Sequence, residues 1–366
     1  MSAEADARFM ALALALGARG KGRTWPNPAV GCVLVREGRI VGRGWTAPGG
    51  RPHAEPQALA QAGGQARGAT AYVTLEPCSH HGKTPPCAEA LIAAGVARVV
   101  TALEDPDPRV AGRGHALLRG AGVAVETGVL AGAATRDHRG FLLNRCAGRP
   151  MVTLKLASSF DGRIATASGE SRWITGPAAR RHVHALRAAH DAVMVGGGTA
   201  RADDPVLTVR GLGIAHQPVR VICASGLDLP ETGALAASVG DAPLWLCHGA
   251  GADPACRSAW QARGARLIEV ATGAGGGLDP AALLSALGAA GLTRVFCEGG
   301  GSLAAALLGA GLVDELIGFT AGLALGAEGR PSIGPLELAH LAEAPRFALT
   351  ETRPLGPDLL HVWSRG

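Results

Sequence analysis

The sequence contains few aromatic residues and little net charge. Only 4% of its 366 residues are aromatic, and its formal net charge at pH 7 is +5. Proteins that capture single-stranded nucleic acid commonly stack the bases on aromatic side chains inside a strongly basic groove. Because Lys and Arg are also scattered rather than run together, we expect no nucleic-acid partner and favour a phosphorylated small molecule.

Long apolar runs and cysteine are also scarce. The longest apolar run near the start, Phe9 to Leu16, is much shorter than the ~20 residues that a membrane-spanning helix needs. Glu4 and Asp6 precede this run where a signal peptide would be basic, so the run predicts an ordinary first helix. Eight irregularly spaced cysteines are too few for a disulfide scaffold. We therefore expect a cytoplasmic protein that does not bind a membrane, with one metal site at most.

The sequence does contain two regions in which helix and strand patterns alternate, which predicts two α/β domains. Residues 29–44 read as two apolar strands around a Glu37-Gly38 turn, which is the pattern of a hairpin. Charge, glycine and proline interrupt the alternation from Phe141 to Pro150, and a new apolar strand begins at Met151. The predicted domains are therefore 1–146 and 147–366.

The second domain carries seven strand patterns and four helix patterns. The strands are predicted at Val152–Ala157, Ala192–Val195, Val219–Cys223, Leu244–Cys247, Leu267–Val270, Arg294–Cys297 and Glu315–Thr320. The helices are predicted at Pro177–Ala189, Pro254–Arg263, Pro280–Ala290 and Ser302–Gly309.

The strongest chemical signal is His53-Ala54-Glu55, followed by Pro77-Cys78 and later by Cys87. One imidazole and two thiolates can bind a catalytic zinc ion and leave its fourth position to water, whose pKa zinc lowers to about 7. Glu55 is then predicted to carry a proton from that water to a leaving amine. The pattern matches the H-x-E and P-C-x-x-C signature of zinc-dependent nucleobase deaminases.

The match to that signature is incomplete. Eight residues separate Cys78 from Cys87, where the signature has two. The alternatives are a structural zinc site or unrelated buried cysteines, and His80 and His81 are rival ligands. His53 and Glu55 are predicted to open a helix, and Cys78 to end a strand, which favours the catalytic interpretation because helix N-termini stabilise thiolates.

Two glycine-rich turns follow predicted strands, at residues 196–199 and 299–302. Glycine lets the backbone approach a pyrophosphate closely, and amides at the start of the next helix face its oxygens. Neither turn has the G-x-G-x-x-G spacing of a Rossmann domain. The alternative is that each is only a tight turn in a chain with 54 glycines.

The eight-residue insertion makes the resemblance specific. With the segment PCSHHGKTPPC after the HAE triplet, the chain closely resembles the bifunctional deaminase-reductases of riboflavin biosynthesis. The resemblance continues through the segments LKLASSFDGRIATASGESRWIT, GGGTARADDPVLTVR and EGGGSLAAALLGAGLVDEL, so it covers nearly the whole chain. It implies a cytidine-deaminase-like three-layer αβα domain followed by an α/β domain like that of dihydrofolate reductase.

The resemblance also implies two reactions. Zinc-dependent hydrolysis would deaminate the pyrimidine of a diamino-hydroxy-phosphoribosylaminopyrimidine, and NADPH would then reduce its opened ribosyl group to a ribityl chain. We expect one Zn²⁺ per chain, NADPH as the second cofactor, a phosphorylated pyrimidine as substrate and a homo-oligomeric enzyme.

In the first domain, the resemblance implies that four residues contact substrate, namely Asn27, His80, Lys83 and Thr84. The alternatives are that Asn27 only forms a turn with its neighbouring prolines and that Lys83 is a solvated loop residue. The family usually has a histidine and an acidic residue where this chain has Thr46 and Arg51, which leaves substrate contacts in that loop undefined.

In the second domain, residues implied to contact NADPH are Ala157, Trp173, Thr199, Asp203, Ser225, Gly300, Gly301, Ser302, Leu303, Ala304, Ala305 and Ala306. Residues implied to contact substrate are Ser171, Arg187, Leu207, Arg210 and Glu298. The planar fork of arginine suits a phosphate, although a solvated surface position is the alternative for Arg187. The assignment of Ser225 is weaker because Ala224 stands where the family commonly has an acidic residue.

Reduction of an open-chain sugar carbon also needs a proton for the developing alkoxide. We predict that Lys155, Glu298 or a water that they hold supplies it, and that Asp161 anchors the turn after its strand.

Two rival functions are a nucleic-acid base deaminase with an accessory domain and a zinc-stabilised nucleotide-binding protein without chemistry. The position of Glu55 favours an enzyme, since a structural zinc site needs no carboxylate beside its ligand.

Overall fold

The structure, a computed structural model, describes residues 2–81, 85–107 and 111–366. It divides into two compact units, residues 1–148 and 149–366. The segment from Phe141 to Ala147, interpreted from sequence as an interruption, instead forms the last two turns of helix α5 (Ala131–Ala147). Gly148 ends this helix with a left-handed conformation, φ 65°, which is the usual role of glycine after a helix.

The described residues of the first unit form one five-stranded sheet and five α-helices. Its strands are β1 (Gly31–Arg36), β2 (Arg39–Trp45), β3 (Thr70–Val73), β4 (Arg98–Thr101) and β5 (Ala124–Thr127). Its other helices are α1 (Ala3–Gly17), α2 (Ala54–Ala62), α3 (Cys87–Ala93) and α4 (Arg113–Gly120), with 3-10 turns at Ala18–Gly20, Pro48–Gly50 and Gly63–Ala66. The sheet order is β2-β1-β3-β4-β5; β1 is antiparallel to both neighbours, and β3, β4 and β5 are parallel.

Both faces of this sheet are buried at its central strands, because alternate side chains of β1 enter different cores. Cys32 and Leu34 pack in a cluster with residues of α2, α3 and α4. Val33 and Val35 pack on the other face with residues of α1. The predicted hairpin and the predicted three-layer αβα fold are confirmed.

Two glycines of β2 bring α2 against the sheet. A Cβ atom at Gly42 or Gly44 would overlap the carbonyl oxygen of Ala58 or Ala54, respectively. The backbone of α2 therefore packs directly on β2, which fixes the start of this helix relative to the sheet.

The second unit contains a nine-stranded sheet and a two-stranded one. Its strands are β6 (Met151–Ser159), β7 (Arg163–Ala165), β8 (Ala192–Gly196), β9 (Val219–Cys223), β10 (Leu244–His248), β11 (Arg266–Glu269), β12 (Arg294–Gly299), β13 (Glu315–Ala321), β14 (Arg330–Pro331), β15 (Ala348–Leu355) and β16 (Asp358–Ser364). Its helices are α6 (Pro177–Ala188), α7 (Gly197–Asp203), α8 (Ala234–Ala237), α9 (Pro254–Ala262), α10 (Pro280–Ala289) and α11 (Gly301–Gly309), with 3-10 turns at Val239–Asp241 and Leu341–Glu343.

The large sheet has the order β11-β10-β9-β8-β12-β6-β13-β16-β15. The first seven strands in this order are mutually parallel, and β16 and β15 continue the sheet in antiparallel pairs. The carboxyl ends of the parallel strands therefore meet along one edge, where α/β proteins place their ligand sites. All seven strands predicted for this unit and all four helices are present.

Within the described residues, we find no helix with the length and apolar character needed to cross a bilayer.

Candidate functional sites

Three predicted ligands, His53, Cys78 and Cys87, lie together in the first unit. Their ligand atoms are all within 4.8 Å of one another. His53 is the N-cap of α2 and Cys87 is the first residue of α3, while Cys78 lies in the loop between β3 and α3. Two helix N-termini thus converge on one imidazole and two thiols, and a helix N-terminus favours thiolate over thiol. In the absence of a metal ion the hydrogen bond between the two sulfurs lowers the pKa of Cys78 and raises that of Cys87, so Cys78 is the first to ionise.

The spacing of these atoms suits a tetrahedral zinc ion. The Nδ1 atom of His53 lies 3.3 Å from Cys87 Sγ and 3.7 Å from Cys78 Sγ. Ordinary zinc–nitrogen and zinc–sulfur bonds at tetrahedral angles would separate such ligands by about 3.6 Å. The backbone N–H of Cys87 donates to Cys78 Sγ at 3.3 Å, and hydrogen bonding from Cys87 and His53 lowers the pKa of Cys78 to about 4. The donor set therefore fits zinc in both chemistry and distance.

Glu55 lies in the first turn of α2 and is 3% exposed. Burial, and then the charge of Cys78, raise the pKa of its carboxyl to about 6. A carboxyl group in this environment exchanges a proton more readily near neutral pH than an exposed glutamate does.

Of the substrate contacts predicted for this unit, the structure describes Asn27 and His80. His80 is half-buried and its Nδ1 atom has no hydrogen-bond partner among the described residues, while His81 pairs with Glu89 at 3.4 Å. The side chain of Asn27 is packed against Gly50, in the loop that precedes His53. Lys83 and Thr84 lie outside the described residues.

Thr46, where the family usually has histidine, is buried and its Oγ1 accepts a hydrogen bond from the Val30 N–H at 3.0 Å. It therefore acts as a backbone support in this chain.

Glu76, two residues before Cys78, anchors the loop that precedes α4. Its carboxylate is buried and accepts N–H bonds from Asp105, Gly112, Gly114 and His115 at 2.9–3.2 Å. Glu76, Glu104 and His115 lie close enough together to hold a metal ion, but the Glu76 carboxylate is already bonded to backbone amides. This role of Glu76 is not predictable from the sequence, because hydrogen bonds to backbone amides produce no periodic pattern.

In the second unit, the predicted residues gather at the carboxyl edge of the parallel strands. Glu298 lies at the end of β12, the segment 300–306 begins α11, Thr199 and Asp203 lie on α7 after β8, and Ser225 follows β9. Lys155 and Ala157 lie on β6, which neighbours β12.

Arg187 and Glu298 form the polar centre of this edge. The Arg187 Nε and Nη2 atoms donate to the Glu298 carboxylate at 2.5 and 3.0 Å, and its Nη1 atom donates to the Thr208 carbonyl at 2.8 Å. Arg187 is 8% exposed, so the alternative of a solvated surface arginine is wrong. Burial lowers the pKa of Lys155, and the charges of Glu298, Arg187 and Asp203 act on the same amine, so these four side chains are electrostatic neighbours.

The second glycine-rich turn packs closely against α7 and against residues 331–334. Gly300 has φ 86°, a conformation that other residues rarely adopt, and a Cβ atom there would lie 2.7 Å from Thr199 Oγ1. The same hydroxyl donates to the Gly299 carbonyl at 3.4 Å. Glycine at 300 therefore lets the backbone before α11 pass close to Thr199, and the start of a helix is where proteins bind anionic groups such as a pyrophosphate.

Three other predicted residues lie on loops around this edge. Trp173 is 69% exposed, with the Arg180 guanidinium 4.5 Å from its ring centre, and Ser171 lies in the same segment between β7 and α6. The Ser225 carbonyl accepts the Gly249 N–H at 2.9 Å.

The predicted anchoring role of Asp161 agrees with its contacts. Its carboxylate accepts the Leu325 and Gly326 N–H groups at 2.8–3.1 Å and the Ser159 hydroxyl at 2.5 Å.

Comparison with known proteins decides the family. The family described as "RibD C-terminal domain" matches residues 150–361. The chain is 44% identical over 370 residues to the riboflavin biosynthesis protein RibD of Escherichia coli K12, covering 98% of this chain and 99% of that relative. The chain belongs to the RibD family. The corresponding RibD of Bacillus amyloliquefaciens is 41% identical over 352 residues, covering 96% of this chain and 94% of the relative.

The other matches agree with membership in the RibD family. Residues 3–103 match the family described as "Cytidine and deoxycytidylate deaminase zinc-binding region". A structure of Acinetobacter baumannii RibD aligns with a TM-score of 0.89 at 39% identity, covering 99% of both chains. The Thermotoga maritima diaminohydroxyphosphoribosylaminopyrimidine deaminase/5-amino-6-(5-phosphoribosylamino)uracil reductase aligns at 0.85 and 31%, again covering 99% of both chains.

As a RibD family member, this chain is an enzyme of riboflavin biosynthesis with a deaminase and a reductase domain. The resemblance found from sequence, the fold class and the bifunctional activity are therefore confirmed. The residues that carry out each step stay predictions, and so does the boundary at 146/147.

Proposed function

We propose that the first unit hydrolytically deaminates 2,5-diamino-6-(5-phosphoribosylamino)pyrimidin-4(3H)-one and that the second reduces the ribosyl group of the product with NADPH. The observation that carries this proposal is the His53, Cys78 and Cys87 cluster, which has zinc-like spacing and a buried carboxyl two residues from one ligand. The chain's relatives supply the substrate class, since the Thermotoga maritima protein is named for both activities.

In the first step, His53, Cys78 and Cys87 would hold one zinc ion. When bound, zinc supplies Lewis acidity, which makes water a nucleophile at neutral pH. Glu55 accepts a proton from the attacking water and delivers it to the amino group that leaves as ammonia. Asn27 and His80 are proposed to orient the pyrimidine. Lys83 and Thr84 are proposed to meet its phosphate.

In the second step, the amides at Gly300 and Gly301 and the side chains of Thr199 and Asp203 would hold NADPH, with the further cofactor contacts predicted from sequence. NADPH, when bound, supplies the hydride for the opened sugar carbon. Lys155 donates the proton that the developing alkoxide needs, and its lowered pKa makes it a stronger acid than an exposed lysine. Glu298 holds Arg187 in place, and both are proposed to face the substrate with Ser171 and Arg210. Leu207, also predicted as a substrate contact, is 2% exposed and packs in the core, so any contact that it makes would be through its backbone.

The location and assembly of the enzyme are part of the proposal. All eight cysteines are free thiols, which agrees with a reducing compartment such as the cytoplasm. We also propose a homo-oligomer, to be tested by light scattering of the purified protein.

One protein sample tests both halves of the proposal. We expect about one zinc per chain by elemental analysis. We also expect that a chelator abolishes deamination while NADPH oxidation on the supplied deaminated substrate continues. Loss of both activities on chelation would contradict two independent centres. Deamination of a transfer RNA or single-stranded DNA would instead support the rival nucleic-acid deaminase.

A further inference from the structure

The segment 204–210, which follows α7, belongs to no helix or strand. Leu207, Thr208 and Val209 are nevertheless buried, with 2–8% exposure, and Leu207 has φ 59°. Buried backbone groups outside regular structure need other hydrogen-bond partners. The segment also carries two predicted substrate contacts, Leu207 and the exposed Arg210, so the groups that fix its path also fix these contacts.

Three polar side chains supply those partners. The Gln217 side-chain amide forms hydrogen bonds with both backbone polar groups of Val209. Its Oε1 accepts the Val209 N–H at 2.7 Å, and its Nε2 donates to the Val209 carbonyl at 3.2 Å. Arg187 Nη1 donates to the Thr208 carbonyl at 2.8 Å. The Arg210 N–H donates to His184 Nδ1 at 3.2 Å. Consecutive residues 208, 209 and 210 are thus each held by a different side chain.

His184 and Arg187 act from the same face of α6, since they are three residues apart on a helix. For His184 to accept the Arg210 N–H, its Nδ1 atom must be unprotonated. Burial, and then the charges of Arg187 and Arg210, lower the pKa of His184, while Glu298 and a hydrogen bond to the Thr208 backbone act in the opposite direction. The neutral ring is thus favoured where the accepting role needs it.

We infer that Gln217 and His184 are positioning residues of the reductase: they hold the backbone of residues 208–210 so that the exposed Arg210 side chain meets the sugar phosphate from one fixed position. The inference rests on the proposed function, because Arg210 is there a substrate contact. Neither residue touches the reacting atoms in this role. Their loss weakens substrate binding and leaves cofactor binding and the other active site unchanged.

The test is steady-state kinetics of the full chain, with the deaminated pyrimidine ribosyl phosphate and NADPH varied separately. The variants Q217M and H184L remove these hydrogen bonds at similar side-chain size. We expect H184L to raise the KM for the sugar phosphate about tenfold, the change that corresponds to loss of one hydrogen bond, and Q217M, which loses two, to raise it at least as much. The KM for NADPH, kcat and deaminase activity should change by less than about twofold.

Two conservative variants and one control separate positioning from general damage. H184N keeps an acceptor near the Nδ1 position and should restore most of the affinity, while Q217E keeps only the acceptor for the Val209 N–H and should lie between parent and Q217M. Gln261, exposed on α9, gives the control Q261M, which should match the parent. A joint rise of both KM values in H184L and H184N would overturn the inference.

R210M separates this inference from the proposed function. If R210M raises the KM for the sugar phosphate but Q217M and H184L behave like the parent, the positioning role is wrong and the substrate assignment stands. If R210M itself behaves like the parent, the assignment of this segment to substrate is wrong, and the positioning role is overturned with it.

Discussion

At the scale of single residues, Glu55 is the group that separates a catalytic zinc site from a structural one. E55Q keeps the size of the side chain and the zinc ligands but cannot carry the proton. We expect normal zinc content, deamination slower by about 10²- to 10⁴-fold, and unchanged NADPH oxidation on the deaminated substrate. A zinc-loaded E55Q enzyme that deaminates at the parent rate would show that another group moves the proton.

Lys155 is the proposed proton donor of the reductase, as Glu55 is the proposed proton carrier of the deaminase. Because K155M fills similar space without an amine, we expect NADPH oxidation to fall about 10²-fold or more while the NADPH dissociation constant stays near that of the parent. The check is single-turnover NADPH oxidation combined with a fluorescence titration of NADPH. Full turnover with normal NADPH affinity would remove Lys155 from the proton-donating role. R201M, on an exposed arginine of α7, is the matched control.

Sequence could predict the residues that carry reactive groups but not those that support them. His53, Glu55, Cys78 and Cys87 are close in sequence or belong to a known spacing, so their types alone indicate chemistry. Glu76 and Gln217 act by hydrogen bonds to backbone groups up to 39 and 8 residues away. Such bonds leave no periodic pattern in the sequence, because their partners are backbone groups and the backbone does not differ between residue types.

At the scale of secondary structure elements, helix α1 is joined to the first sheet through a buried carboxylate. The Asp6 oxygens accept two hydrogen bonds from Arg98 at 2.8 Å and one from the Tyr72 hydroxyl at 2.6 Å. Asp6 is 2% exposed. These bonds from β3 and β4 hold α1 on the face of the sheet opposite α2.

We expect D6N to destabilise the first unit by about 1–3 kcal/mol, because it removes the buried carboxylate that accepts both Arg98 hydrogen bonds, while Glu126 stays paired with that guanidinium. Hydrogen bonding from Arg98 lowers the pKa of Asp6 in the folded state. A lowered folded-state pKa gives stability that is present above the unfolded value of about 3.9 and is lost as pH falls through the folded value. The difference in Tm between parent and D6N should therefore be largest above pH ~4 and shrink below it. A difference that grew in acid would contradict this account.

Elements were predictable where their burial pattern is regular. The parallel strands of the second unit are short apolar runs between turn residues, and all were predicted. The C-terminal hairpin of β15 and β16 was not, because β15 is exposed at every position except its last and shows no apolar alternation. The end of α5 was misjudged for a different reason: its last turns contain charged residues, and Gly148 marks the helix end rather than a loop.

At the scale of the whole molecule, each proposed centre draws its described residues from one unit. His53, Glu55, Cys78 and Cys87 belong to residues 1–148, and Lys155, Arg187 and Glu298 belong to residues 149–366. The division into two α/β domains follows from length and pattern. The assignment of one reaction to each domain required the resemblance, since a fold alone does not specify an activity.

Because the described residues proposed for each centre belong to a single unit, two singly inactivated chains should complement each other. We expect that E55Q or K155M alone cannot convert the diamino substrate to the ribityl product. An equimolar mixture should convert it, with a lag in NADPH oxidation that shortens as the concentration of K155M, the active deaminase, is raised. Rapid-mixing absorbance of NADPH at 340 nm gives both the lag and the final rate. The control is each variant alone at the same total enzyme concentration.

The lag follows from mass action, since the intermediate must accumulate in solution before the second variant binds it. If the mixture stays inactive while each variant keeps its remaining activity on supplied substrate, the intermediate must instead pass between the two centres of the same assembly without release.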